Sequence, residues 1–444
     1  MECTTSGIDD TLLRSRNSTL DLWLDCNALE GVNFADALPF LLALRQNTHV
    51  TDVNLAIVRS PHAAETILAV SQIPNLQSLK VSSIFDCSGD FGLSLPTLTQ
   101  ALGQARRLEA LSLDWIGILG DADNNTLREQ HTALERTLES HPRLCEIVLT
   151  NFYFPSQTSP NDWIQADRFV RVILALPNLT TLRMDAVTRF YGRPLLTSTT
   201  IKLLFSHDCL QTILLKNICV WSTRCDPQVS KALRRNERLL ELSLTSCYLA
   251  SHGSVLAGLD ENRSVRDLDV SDSSLLLEAL SLGRALGMNR GLQKLTLCRS
   301  RLDVNPATHH DYALALLQAL ANHPTVKQFR MSILYDCTLL AERPSFQSVE
   351  EVLQTALRVL ESNHVLQELC LDGMCQDEPF WALSEAIRLR LGLNKAGFWG
   401  LSQTTSKASE WADALGAVRY DVGCLYHVLR DNPLLVATTA VSVK

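Results

Sequence analysis

The residues best placed to do chemistry are a compact His309-His310-Asp311 cluster, thirteen cysteines and a scatter of histidines. Two adjacent imidazoles and a carboxylate are ligand types that zinc accepts, but a zinc site needs further ligands at a fitting spacing. None follows in the sequence. The cluster reads instead as exposed loop just before a helix over 312–320, where Asp311 favours the positive helix end. The cysteines form no CxxC pair, and the closest spacings, Cys219 to Cys225 and Cys370 to Cys375, fit no common zinc pattern. They are expected to be reduced thiols acting as small buried hydrophobes. His141, His207, His323 and His364 precede strands, at expected helix ends, where they would meet carbonyls that the helix leaves unsatisfied. There is no GxxxxGK[ST], HExxH or GxSxG, and no GxGxxG between a strand and a helix. The expectation is a protein that is not an enzyme and carries no catalytic residue, metal or cofactor.

Composition narrows the class further. Forty Lys and Arg against 48 Asp and Glu give 444 residues a net charge of −8. A nucleic-acid binder needs a basic surplus to displace counterions from phosphates, and none is visible. No apolar run at the front is long enough for a signal peptide, and none anywhere for a membrane span. We therefore expect a soluble protein of the cytoplasm, or of the nucleus. Four N-x-S/T sequons begin at Asn17, Asn124, Asn178 and Asn262 and would matter only on export.

What must position any functional side chain is a repeat. Apolar residues recur at relative positions 0, +3 and +5, beginning Val50-Val53-Leu55, Leu76-Leu79-Val81, Leu108-Leu111-Leu113 and Leu144-Ile147-Leu149. The series runs on through Leu179, Leu210, Leu239, Val265, Leu292 and Val326 to Leu366-Leu369-Leu371, with starts 26 to 40 residues apart. A degenerate block stands at the front, Thr19-Leu22-Leu24, and a thirteenth is expected to end at Leu391 and Leu393. Polar residues alternate with the +3 and +5 positions, which describes a short strand with one buried face. Before each strand lies a stretch of helical periodicity, such as Ala133, Leu134 and Leu138, or Leu314, Leu317 and Leu320. Short polar or Pro-containing links such as 140–143 and 322–325 stop the helices. Strands joined by helices in this order run parallel, and neither half buries its apolar face without neighbouring copies.

Leu239-Leu240-Glu241-Leu242-Ser243-Leu244-Thr245-Ser246-Cys247-Tyr248-Leu249 matches L-x-x-L-x-L-x-x-[NC]-x-L in full, and the chain resembles the leucine-rich-repeat family over roughly 19–395. Asn27 and Cys247 stand at the position where that family satisfies backbone groups of the turn, whereas Ile218, Phe152 and Ser273 depart from it. Repeats of about 28 residues with a full helix look like the ribonuclease-inhibitor type. That resemblance implies an α/β solenoid, a horseshoe with a parallel sheet on its concave side and helices on its convex side. The tail, from Leu391-Gly392-Leu393-Asn394-Lys395-Ala396-Gly397 through Trp411, Leu415, Asp421 and Leu425 to Leu429-Arg430-Asp431-Asn432-Pro433-Leu434, is similar to the C-terminal cap of an uncharacterised leucine-rich-repeat set abundant in diatoms. The domain organisation expected is a flexible stretch over 1–18, repeats over 19–395 and a helical cap over 396–444. An F-box or receptor module is not expected, because it would need more than the eighteen residues that stand before the repeats here.

Two surfaces are candidates for recognition. The exposed strand face, positions +2, +4 and +6, carries eleven acidic and five basic residues, net −6 of the chain's −8. Asp21, Trp23, Asp25, Asp52, Asp114, Asp267 and Asp269 are its leading binding candidates, although an ordinary solvated face has the same look. The second surface is one rim, where loops over 117–130, 152–167, 187–199, 217–227 and 333–348 vary in length. Phe152, Tyr153, Phe154, Trp163, Tyr191 and Trp221 crowd there, in a chain only 6% aromatic. Aromatic rings supply many interface hot spots, or they pin the loops to the repeats. The function expected is a scaffold that binds a protein partner, with a basic surface on that partner if the acidic face takes part. A regulator of an enzyme, either an inhibitor of the ribonuclease-inhibitor kind or a GTPase activator of the Ran kind, is the alternative that the fold resemblance leaves open.

Overall fold

The computed structural model describes residues 18–25, 45–58, 63–83, 92–114, 117–119, 124–152, 162–186, 195–221, 227–249, 252–273, 279–298, 306–332, 346–372, 381–398, 401 and 408–431. Two compact units emerge, Met1–Ala232 with Arg238–Ser251, and Leu233–Glu237 with His252–Lys444. In the first, the order is β1 (Thr19–Asp25), β2 (Asp52–Val58), α1 (Ala63–Val70), β3 (Ser78–Ser83), β4 (Gly92–Ser94) and α2 (Leu95–Gln104). It continues with β5 (Ala110–Asp114), β6 (Gly117–Leu119), α3 (Asn124–Glu139), β7 (Glu146–Phe152), α4 (Asp162–Ile173), β8 (Thr181–Ala186) and β9 (Leu195–Thr197). Then come α5 (Ser198–Ser206), β10 (Thr212–Lys216), β11 (Cys219–Trp221), α6 (Pro227–Arg235), whose last turn falls in the second unit, β12 (Glu241–Thr245) and β13 (Tyr248–Leu249). The second unit holds α7 (His252–Leu259), β14 (Asp267–Asp269), α8 (Ala279–Met288), β15 (Lys294–Leu297), α9 (Pro306–Leu320), β16 (Gln328–Ser332), α10 (Phe346–Ser362) and β17 (Glu368–Asp372). Three helices follow, α11 (Trp381–Lys395), α12 (Ala408–Val418) and α13 (Val422–Asp431).

Within each unit the main strands pair in parallel and in chain order, β1-β2-β3-β5-β7-β8-β10-β12 in the first and β14-β15-β16-β17 in the second. The register has no stagger, so equivalent positions stack: Val53 on Leu79, Leu79 on Leu111, Leu111 on Ile147 and Ile147 on Leu182. From Val50 to Met331 every 0, +3 and +5 side chain is buried, each worth roughly 1.5–3 kcal/mol of transfer free energy. This is the leucine-rich-repeat solenoid architecture. The eleventh triplet differs: Leu366 is buried but Leu369 and Leu371 are half-buried, because β17 ends its sheet. Leu391 and Leu393 form no thirteenth strand, since both lie in α11, which packs Leu393 against Trp411, Val418, Cys424 and Val428. The front block sits two residues earlier than its apolar pattern suggests, for Leu22 pairs with Leu55 and Leu20 with Val53. Alternation has a period of two, so that shift leaves Asp21 on the solvent face.

A second ladder runs where strands give way to helices. Short strands β4 and β6 pair in parallel, as do β9, β11 and β13. Asn217 and Ser246, at +7 before β11 and β13, adopt left-handed backbone at φ 60° and 53°, and Asn151 and Asp272 do so at the same position of their repeats, at 52° and 54°. Asn and Asp tolerate that region better than other side chains do.

In most repeats the helix-to-strand link is tied by one polar side chain three residues before the apolar triplet, although Ile73, Ala105 and Leu176 hold that position in the other three. Asn262 Nδ2 donates to the carbonyls of Leu233 and Asn236 in the preceding repeat, while its Oδ1 accepts from the N–H of Ser264 and Val265. Asn289 and Asn363 make the same four bonds one and three repeats on. His141 and His207 do the work with imidazole, Nε2 facing the carbonyl of Ala105 or Leu176 and Nδ1 accepting from Leu144 or Cys209 N–H. Histidines at helix ends thus meet carbonyls, but of the neighbouring copy rather than their own helix. His323 accepts through Nδ1 from Thr325 and Val326. His364 does not hold this position, because Asn363 does.

His131 takes a core place on α3, on the face formed by Leu127, Leu134 and Leu138, whereas Ala133 points outward. Burial, then the Arg168 guanidinium, lowers His131 to about 4; burial, then Arg290, lowers His323 to about 4; burial also lowers His141. Folding therefore favours neutral imidazoles. As pH falls below about 6.5 the unfolded chain takes up protons that the fold refuses, so stability declines from there to about 4 and levels below it. Urea midpoints across pH 8 to 4 should show that loss, on the order of 3 kcal/mol in total, and His131→Phe should reduce its slope. Asn262→Ala strips partners from two buried carbonyls and two N–H groups, and urea unfolding should read a loss of about 2–4 kcal/mol.

Candidate functional site

The alternation that buries one side of each strand sends the other to solvent, and the register arranges those side chains in rows. One row of the first unit runs Asp52, Ser78, Ala110, Glu146, Thr181, Thr212, Glu241, and a second runs Asp21, Asn54, Lys80, Ser112, Val148, Arg183, Leu214, Ser243. The third includes Ala56, Ser82, Asp114, Thr150, Asp185, Lys216 and Thr245. In the second unit the rows are Asp267, Lys294, Gln328, Glu368 and Asp269, Thr296, Arg330, Cys370. Each unit thus presents rows of mostly polar side chains on a parallel ladder.

The acidic residues divide by what holds them. Asp185 accepts from Lys216 Nζ at 2.8 Å and Asn217 Nδ2 at 3.1 Å, and Asp267 meets Lys294 Nζ at 2.6 Å. Asp114 accepts from Asn151 Nδ2 at 3.0 Å, so a +7 asparagine grips a +6 aspartate one strand back, as Asn217 does with Asp185. Asp269 accepts the Ser271 N–H at 2.9 Å, Asp21 accepts from Asn54 Nδ2 at 2.7 Å, and Asp52 from the Thr51 hydroxyl at 2.7 Å. The named aspartates are therefore mostly structural acceptors as well as surface charges. Glu146 and Glu368, which are not among the leading candidates named from the sequence, are exposed. Glu241 lies half-exposed in the same row as Glu146.

Other sequence candidates fall elsewhere. The backbone of Trp23 and Asp25 belongs to β1, that of Phe152 to β7, Trp163 to α4 and Trp221 to β11, but their side chains lie outside the described residues. Tyr153, Phe154, Tyr191 and Asn27 also lie outside them. The His309-His310-Asp311 cluster is not loop before a helix, because α9 begins at Pro306 and includes it. His310 Nε2 faces Glu351 Oε2 on α10 at 3.0 Å, an interhelical contact. Among the described residues no group of three or more His, Cys, Asp or Glu side chains could hold a metal, and no helix is long and apolar enough to cross a membrane. Seven described cysteines are free thiols, and at the turn position Cys247 Sγ faces the Leu215 carbonyl of the preceding repeat at 3.3 Å.

Three comparisons bear on kinship. No family model and no curated protein matches the chain. Solved structures do: leiomodin-1 actin-binding site 2 is 12% identical, with 46% of this chain and 90% of that one covered at a TM-score of 0.26. A Bacteroides fragilis protein is 11% identical, with 69% of this chain and 77% of that one covered at a TM-score of 0.34. Values this low carry no argument, and the repeat architecture rests on the register and burial of this chain's own residues.

Asp267 and Glu146 should separate structural from exposed carboxylates. Asp267→Lys sets two lysines side by side and should lower stability by on the order of 1 kcal/mol. Glu146→Lys should change it by less than about 0.5 kcal/mol, both read from thermal unfolding.

Proposed function

We propose that this chain is a non-enzymatic protein-interaction scaffold that engages a protein partner through the helix-free face of its sheet. The observation that carries the reading is the acidic array itself, presented by strands whose apolar sides are locked in the core. Side chains on a fixed ladder lose little freedom on binding, so more of each contact appears as affinity. Clustered carboxylates raise the encounter rate of an oppositely charged surface, and the partner is accordingly a protein with a basic patch. The rim aromatics Phe152, Tyr153, Phe154, Trp163, Tyr191 and Trp221 extend this reading to loops beside the face. The resemblance of the repeats to the ribonuclease-inhibitor type supports a binding role, and the net charge of −8 suits a protein partner, rather than nucleic acid or a membrane, met in the cytoplasm or nucleus.

Captured proteins on immobilised wild-type chain, compared with a Glu146→Lys/Glu241→Lys variant of equal thermal stability, test the proposal. A specific partner should be retained by the first and depleted by the second, at least fivefold. Its association rate with the wild type should fall about tenfold between 0.05 and 0.3 M salt, as screening shortens to several Å. A partner indifferent to both the substitutions and salt would exclude the sheet face.

A further inference from the structure

The last helix is apolar on two opposite sides. Cys424 and Val428 of α13 are fully buried against Leu393, Trp411 and Val418. Two residues before each, about 200° round the helix, stand Val422 and Tyr426, 79% and 61% exposed. Tyr420, in the turn that enters the helix, is 86% exposed. One apolar stripe is what a capping helix needs, and its outward side should be polar. A second, exposed stripe is of the size that often serves as an interaction surface.

The patch is held in place. Asp421 caps α13 through the Cys424 N–H at 3.0 Å and pairs with Arg388, and these contacts hold its carboxyl below the usual range. Arg419 lies over the Tyr420 ring at 4.5 Å and Arg430 over Tyr426 at 6.0 Å. Tyrosine, valine and stacked arginine make an interface composition, with lysine and glutamate absent from its centre.

We propose that this stripe is a self-association surface through which two copies of the chain meet about a two-fold axis. Charge selects the occupant. The chain carries −8 overall, yet residues 381–431 hold six basic and five acidic side chains, so copies meeting there escape the repulsion that the acidic face would impose. The chemistry is self-complementary, since each patch offers rings and guanidinium groups that the other's rings can take. One such patch per chain closes at two subunits rather than growing a fibre. Two tyrosines and a valine supply about 400 Å² per copy, half of what a standard interface buries per partner, so dissociation constants of tens of micromolar are expected.

Sedimentation equilibrium of the full chain from 1 to 200 µM tests it. A monomer–dimer equilibrium should appear, persist at 0.5 M salt, and weaken at least tenfold in Val422→Asp/Tyr426→Asp, whose thermal unfolding as monomer matches wild type. Glu146→Lys/Glu241→Lys should leave the dimer unchanged, which keeps this surface distinct from the partner-binding face. A chain that stays monomeric at 200 µM overturns the proposal, and so does a dimer indifferent to the cap substitutions. It also fails if the full chain is monomeric and only a version ending at Asp431 dimerises, since residues 432–444 would then cover the stripe.

Discussion

Most repeats close on the next through a single buried polar side chain at position −3, and only Ile73, Ala105 and Leu176 stand there without one. A helix that ends against the core leaves carbonyls without partners, and the strand that follows starts with N–H groups in the same condition. One amide at position −3 answers both, donating backwards into the preceding copy and accepting from its own. The bond is therefore between repeats as much as within them, which fixes where the next strand must begin. Below it, the +1 and +2 N–H groups converge on one carbonyl of the previous strand, as Gln77 and Ser78 do on Thr51, and Glu109 and Ala110 on Gln77. The converging N–H groups recur in the repeats that lack the −3 amide, and the strands there keep the same register.

Much of this was legible in the sequence because burial imposes periodicity. The 0, +3, +5 triplets, the parallel order and the acidic strand face are all direct readings of which residues alternate. What escaped was polar. Asn47, Asn236, Asn262, Asn289 and Asn363 stand three before the start of a triplet, in line with His141, His207 and His323, and Asn394 donates in the same way to Asn363 and Leu366, yet apolar periodicity carries no trace of them. His364 misled for the same reason, one residue past the buried Asn363. The left-handed turn at +7 was equally present in Asn151, Asn217, Ser246 and Asp272, without apolar neighbours to draw attention to it. Apolar spacing also over-reached at the end, where Leu391 and Leu393 satisfy a helix as readily as a strand.

The candidate site was legible as a surface and less so as a set of residues. Alternation alone put Asp52, Asp114, Asp267 and Asp269 on the solvent side. Only the register shows that Lys294 lies beside Asp267 and that asparagines reach back to Asp114 and Asp185, so carboxylates chosen for binding prove to brace the turns. Glutamates in the first exposed row, with longer side chains and fewer ties, are the freer charges. Residue type alone does not distinguish acids tied to neighbouring strands from those left exposed, although alternation locates the acidity.

The paired short strands after β3, β5, β8, β10 and β12 have a mechanical consequence. In the first unit those coils are fastened twice, by the main ladder and again by β4–β6 or β9–β11–β13. A coil of the first unit that carries such a strand therefore opens only when bonds of both ladders break together, so its amide hydrogens should exchange in one cooperative event rather than two.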